Sequence, residues 1–154
     1  MSSLNDSIER QIDIDAPIER VWQLVSEPGW WINEGEIREH RLEERDGLTV
    51  VHDGTHGAFS IRTVELREPH FASFRWEPGS IPEEERMAGK QTLVEFFLEE
   101  RPGGVTLKVV ESGFASLPIP PEEQKKALDG NTEGWAVEMT AARAFLLAEV
   151  PASE

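Results

Sequence analysis

Residues 8–25 read IERQIDIDAPIERVWQLV, and two periodicities meet inside them. Ile8, Arg10, Ile12 and Ile14 alternate with Glu9, Gln11 and Asp13, the period of a half-exposed strand. After Asp15-Ala16 the period changes. Ile18, Val21, Trp22 and Val25 recur at i, i+3, i+4 and i+7, one stripe of a helix. Pro17 falls near its first position, where a missing N–H costs nothing. Ser26-Glu27-Pro28-Gly29 stops that helix, and the chain passes into the unusually aromatic Trp30-Trp31-Ile32-Asn33.

Working outward, the period from 36 to 112 is that of strands. Segments 36–44, 48–53, 57–67, 71–77, 91–100 and 105–112 are parted by Asp46-Gly47, Asp53-Gly54, Glu68-Pro69, Pro78-Gly79 and Pro102-Gly103-Gly104, each a turn signal. Residues 78–90 read as a longer polar loop. After Leu117-Pro118-Ile119-Pro120-Pro121 the helical period returns. Trp135, Met139, Ala142 and Leu146 share its larger apolar face, with Val137, Ala141, Ala144 and Ala148 roughly opposite. The helix start is open between Pro121 and Asn131. With no repeat and no linker, residues 1–154 read as one domain.

This order defines an α+β protein. Six or seven antiparallel strands, apolar on one face, must cover that face, and the C-terminal helix supplies the only large apolar cover. A curved sheet around one helix encloses a space that side chains fill or a ligand occupies. Strand parity turns Phe59, Ile61, Phe74, Trp76, Phe96, Leu98 and Val109 toward it, and Glu111 with them. Trp30, Trp31, Phe114, Trp135 and Met139 complete the expected wall, since large rings commonly line small-molecule pockets. A bulge is open for the later half of 57–67.

Composition removes several function classes. The sequence has 15 basic and 30 acidic residues, a formal charge of −15, which repels phosphate backbones and anionic membranes. There is no Cys, hence no disulfide and no thiolate nucleophile or ligand. The opening MSSLNDSIER has no apolar core of a secretory signal, and no apolar run reaches the ~20 residues of a membrane helix. The expectation is a cytoplasmic protein that binds no nucleic acid and inserts into no membrane. A homodimer stays open.

Few residues carry chemistry. His52-Asp53-Gly54-Thr55-His56 has metal-like spacing, but Asp53-Gly54 is also an ordinary hairpin turn with solvated imidazoles, and neither a metal nor a cofactor is assigned. Glu111 is sharper. Its parity aims it inward, where desolvation would raise its pKa; the alternative is a strand-end carboxylate that is hydrated or paired with an Arg. Arg62 and Arg75 read as surface partners of the many Glu side chains, or as carboxylate anchors. Glu83-Glu84-Glu85 is a solvated run. Ser112 has no recognisable base, and no nucleophile elbow, phosphate-cradling loop or dinucleotide fingerprint is present. No catalytic residue is assigned.

Ile8-Glu9-Arg10 through Asp15-Ala16-Pro17-Ile18-Glu19-Arg20-Val21-Trp22 resembles the start of START-like (SRPBCC) proteins. It is most similar to the group named for the activator of the heat-shock-protein-90 ATPase. Trp30-Trp31, Phe74-Arg75-Trp76-Glu77, Glu111-Ser112-Gly113-Phe114 and Gly134-Trp135 match as well, over roughly residues 8–149. The resemblance implies a helix-grip fold with a mostly apolar cavity beneath the C-terminal helix. It implies a small hydrophobic or amphipathic ligand. A polyketide cyclase or dehydratase-like enzyme, with Glu111 and His52 as acid and base, is the alternative. A chaperone-linked interaction domain is disfavoured, because nothing in this sequence corresponds to the activator's separate chaperone-engaging domain.

Overall fold

The computed structural model describes residues 7–32, 37, 40–45, 47–54, 57–76, 91–114 and 120–148. Strand β1 (Ser7–Ile14) leads into helix α1 (Ile18–Val25), and strands β2 (Arg41–Arg45), β3 (Leu48–Asp53), β4 (Gly57–Arg67), β5 (Phe71–Trp76), β6 (Thr92–Arg101) and β7 (Gly104–Ser112) follow. Helix α2 (Pro121–Ala148) closes the chain. The strands form one antiparallel sheet in the order β1-β7-β6-β5-β4-β3-β2, so β1 returns to pair with β7. The sheet curves about the C-terminal helix in an α+β helix-grip fold.

One segment differs from the periodic reading, and for another the structure decides a choice the sequence leaves open. Strand β2 begins at Arg41, and Ile37 lies outside it. Helix α2 starts at Pro121 and runs unbroken through Gly130 and Gly134, although each interior glycine costs roughly 1 kcal/mol against Ala. Packing outweighs propensity here: Ala127, Asn131, Trp135, Glu138, Met139, Ala141, Ala142 and Leu146 are all buried. The periodic pattern puts Ala141 on the far side, but the buried stripe is wide enough to take it in. Val137, Ala144 and Ala148 are exposed. The bulge falls between Thr63 and Glu65 of β4. The loop at 78–90 lies outside the described residues.

Register puts the apolar parity inward throughout. Phe96 faces Ala72 on one side and Val109 on the other, while Leu98 faces Leu107. Phe59, Ile61, Phe74, Trp76, Val94, Phe96, Leu98, Leu107 and Val109 are buried in one core with Ile18, Val21, Trp22 and Val25 of α1. Each such side chain contributes about 1.5–3 kcal/mol by leaving water.

Two glycines are dictated by geometry. Gly29 turns the chain out of α1 at φ +78°, and a Cβ there would stand 2.7 Å from Val51 Cγ2. A Cβ on Gly104 would run into the Ile14 carbonyl oxygen at the β7–β1 crossing. The first of these turns Trp30-Trp31-Ile32 inward, where all three side chains are buried and the two indoles meet rings of β5 and β6.

Candidate functional site

Glu111 sits one residue before the end of β7, directly across from Val94 of β6 and Ile8 of β1. Its side chain is completely buried. A carboxyl so placed must find donors or lose its charge. It finds four. Trp76 Nε1–H donates to Oε2 at 2.7 Å, and the Thr92 hydroxyl donates to the same oxygen at 2.5 Å. Trp135 Nε1–H and Asn131 Nδ2–H donate to Oε1 at 2.8 and 3.0 Å. Both oxygens therefore accept twice, and four elements (β5, β6, β7 and α2) meet at one carboxyl group. Burial pushes its pKa up; the bonds from Thr92, Trp135, Trp76 and Asn131 pull against that rise without cancelling it.

The expected inward orientation of Glu111 is found: it is fully buried, and no Arg pairs with it among the described residues. Two of its partners carry no expectation from the sequence. Thr92 occupies the apolar parity of β6 ahead of Val94, Phe96 and Leu98, and a hydroxyl on an inward face is the signal that marks it. Asn131 is a poor helix former within α2, held there by its bond to Glu111.

The rings around this group touch one another. Trp31 lies at their centre, with ring centroids 5.4–6.1 Å from Trp30, Phe74, Trp76, Phe96 and Trp135. Trp30 meets Phe96 at 5.4 Å, Phe59 meets Trp76 at 5.5 Å, and Phe96 meets Trp135 at 5.8 Å. Edge-to-face and tilted contacts of this kind add about 0.5–1.5 kcal/mol per pair beyond area burial. Ile61, Leu98, Val109, Phe114 and Met139 are buried in the same core. The Trp31 ring thus takes up space between sheet and helix. Its Nε1–H is buried and has no hydrogen-bond partner among the described residues.

Other candidate residues lie apart from this centre. His52 alternates outward from Val51, which is opposite Phe59, so it stands on the other face of the sheet from Glu111. It pairs with Glu43 at 3.1 Å, partly exposed. His56 and the 83–85 run lie outside the described residues, within which no group of three metal-ligating side chains gathers. Arg62 and Arg75 are exposed and directly opposite each other on β4 and β5. An open cleft of about 310 Å³ lies elsewhere, between Asp15–Ile18 and Glu100–Gly104, with Arg101 bonded to Asp15 across it. No helix among the described residues is long and apolar enough to cross a membrane.

A seven-stranded curved sheet gripping one C-terminal helix, with a buried aromatic interior between them, defines the START-like (SRPBCC) class. Within it, the sequence profile of the "Activator of Hsp90 ATPase homolog 1-like protein" family matches residues 15–141. The chain belongs to that family. No curated protein matches it. Among solved structures it is similar to MLL2253 from Mesorhizobium loti, at 17% identity and TM-score 0.67 over 94% of this chain and 98% of that one. BH1534 from Bacillus halodurans is 21% identical with TM-score 0.65, over 95% and 99% of the two chains. DynU16, a protein of the dynemicin biosynthetic locus, is 20% identical with TM-score 0.65, over 98% of this chain and 51% of that one. At such identities the likeness establishes the fold.

Proposed function

We propose that this protein is a cytoplasmic carrier or receptor that binds a small, flat hydrophobic or amphipathic molecule between the concave sheet face and α2. The observation that carries this reading is the indole N–H of Trp31: a buried donor with no partner among the described residues, in the midst of a wall of aromatic rings. A buried donor without a partner costs about 1–3 kcal/mol, and that cost is recovered when an acceptor arrives. The ligand accordingly carries a carbonyl or ether oxygen on an apolar body. It enters by exchanging places with part of the Trp31 ring, against Phe74, Trp76, Phe96 and Trp135.

Glu111 serves this site through the two indoles it holds. Each of its oxygens already accepts two bonds, so it offers a ligand nothing unless a donor is displaced. Its role is to fix the planes of Trp76 and Trp135, walls on either side of Trp31. The enzyme alternative draws support from the raised pKa of Glu111, which suits a general acid, and from the likeness to a protein of the dynemicin biosynthetic locus. Against it, His52 stands on the opposite sheet face, and the cyclase pairing of the two groups has no geometry behind it.

The test is tryptophan emission during titration with fatty acids, flavonoids and polyketide-like aromatics, together with native mass spectrometry of the purified protein. At least one class should quench or shift the emission, and Trp135→Leu should weaken that response while the fold persists. Emission that no class alters, in a protein that carries no co-purified mass, would overturn the reading.

A further inference from the structure

The segment that delivers Trp31 is held by a second buried polar pair, remote in sequence from the first. His40 Nε2 lies 2.6 Å from the Ile32 carbonyl oxygen and 3.0 Å from Asp53 Oδ1. The two side chains are 2% and 1% exposed. Two acceptors at one nitrogen assign a proton to Nε2, so His40 donates to both, and its other nitrogen has no partner among the described residues. Asp53 ends β3 on the inward parity shared with Val51, and is thereby part of the sheet. Ile32 immediately follows Trp31. The imidazole therefore ties the backbone carrying Trp31 to a fixed strand.

Within the described residues, this segment belongs to neither a helix nor a strand. Its turns rest on Trp30 N–H to Glu27 O at 3.2 Å and Ile32 N–H to Gly29 O at 3.0 Å, following the left-handed Gly29. We propose that the His40–Asp53 pair is the latch of the ligand site: a positioning pair that keeps Ile32, and with it the Trp31 ring, closed in the interior. This rests on the reading of that interior as the binding site. Apolar packing alone allows the Trp30-Trp31-Ile32 segment to lift as a unit, whereas the bond from His40, a ring itself held by the buried Asp53, to the Ile32 carbonyl fixes its register. Breaking the bond makes opening more frequent and lets a ligand in faster.

The experiment uses the whole chain and the variants His40→Leu, His40→Asn and His40→Gln. The Gln side chain places an amide N–H where Nε2 stands, and the shorter Asn amide does not reach it. Amide hydrogen exchange at Trp30 and Ile32 is the first readout, and the uptake rate of 1-anilinonaphthalene-8-sulfonate is the second. His40→Leu and His40→Asn should speed exchange of these two amides about tenfold, with the β6–β7 amides changing far less, as expected for the loss of one hydrogen bond that holds this segment. Probe uptake should rise by a similar factor. His40→Gln should return both to near the parent values. His40→Asn keeps the test alive if His40→Leu does not fold. Unchanged exchange at Trp30 and Ile32, or an equal change over the whole sheet, overturns the latch. Faster exchange with no probe entering any variant overturns the interior as the binding site.

Discussion

Replacing Glu111 with Gln changes one atom and breaks a four-way match. The parent group presents two oxygens to four donors: Trp76 and Thr92 on one side, Asn131 and Trp135 on the other. The amide presents one oxygen and one NH2. Thr92 can rotate its hydroxyl to accept, and Asn131 can turn its own amide, but an indole N–H only donates. Whichever way the new amide lies, one tryptophan loses its partner in a dry interior. That orphan costs about 1–3 kcal/mol. For a chain of this size the fall in Tm is roughly 2–12 °C. Calorimetry or thermal circular dichroism reads it directly.

The same substitution has a pH signature. Burial leaves Glu111 with a folded-state pKa above its unfolded value. Between those two values the native state binds the extra proton, so stability falls as pH rises. Its contribution is full below the usual carboxylate pKa of roughly 4.3 and is lost as pH climbs through the folded value. Each tenfold difference in acidity between the two states is about 1.4 kcal/mol. The amide of Glu111→Gln does not titrate. The stability gap between parent and variant should therefore be widest at and below roughly pH 4.3 and narrow toward neutrality, while the other carboxylates cancel in the difference. A gap below about 0.5 kcal/mol, inside the ordinary range of surface substitutions, would refute the four-donor geometry. A gap that widens with rising pH would refute the raised pKa.

Trp22 is buried on the α1 stripe, on a different element from the rings around Glu111, so Trp22→Ala should cost about 3–5 kcal/mol in urea unfolding while ligand affinity of the folded fraction stays unchanged. Gly29→Ala should destabilise by about 1–3 kcal/mol, since it adds a Cβ against Val51 at a left-handed φ, and a neutral result would mean that this turn relaxes freely. His52→Ala removes a half-exposed pair with Glu43 on the outer face; stability should change by less than about 1 kcal/mol, and any loss of ligand response would contradict its placement away from the site.

The apolar half of this molecule was legible because a strand has period two and a helix 3.6. Trp76 and Phe96 fall on the inward parity of β5 and β6, and a slip of one residue would have exposed both. The inward aim of Glu111 followed from the same rule. What parity does not supply is distance between strands remote in sequence. Thr92 and Asn131 became partners of Glu111 only through the β6–β7 register and the seating of α2. His40 gave no periodic signal, since it precedes β2, and Asp53 read as the first half of a hairpin turn. Its role as an acceptor for His40 depends on the carbonyl of Ile32, which no side-chain pattern encodes.

Both polar pairs do the same physical work on an apolar interior. Rings packed at centroid separations of 5.4–6.1 Å are adhesive but less directional than a hydrogen bond. A hydrogen bond at 2.7–2.8 Å from an indole to a buried carboxyl group sets the ring's orientation, because turning it away leaves the donor uncompensated. Glu111 thus fixes the planes of Trp76 and Trp135, and the carbonyl of Ile32 fixes the approach of Trp31 between them. Trp31 keeps its polar atom without a partner among the described residues, beside two indoles whose own N–H groups are committed. In the proposed site an incoming oxygen would meet that donor beside two indoles that are already ordered, which lowers the ordering cost of binding.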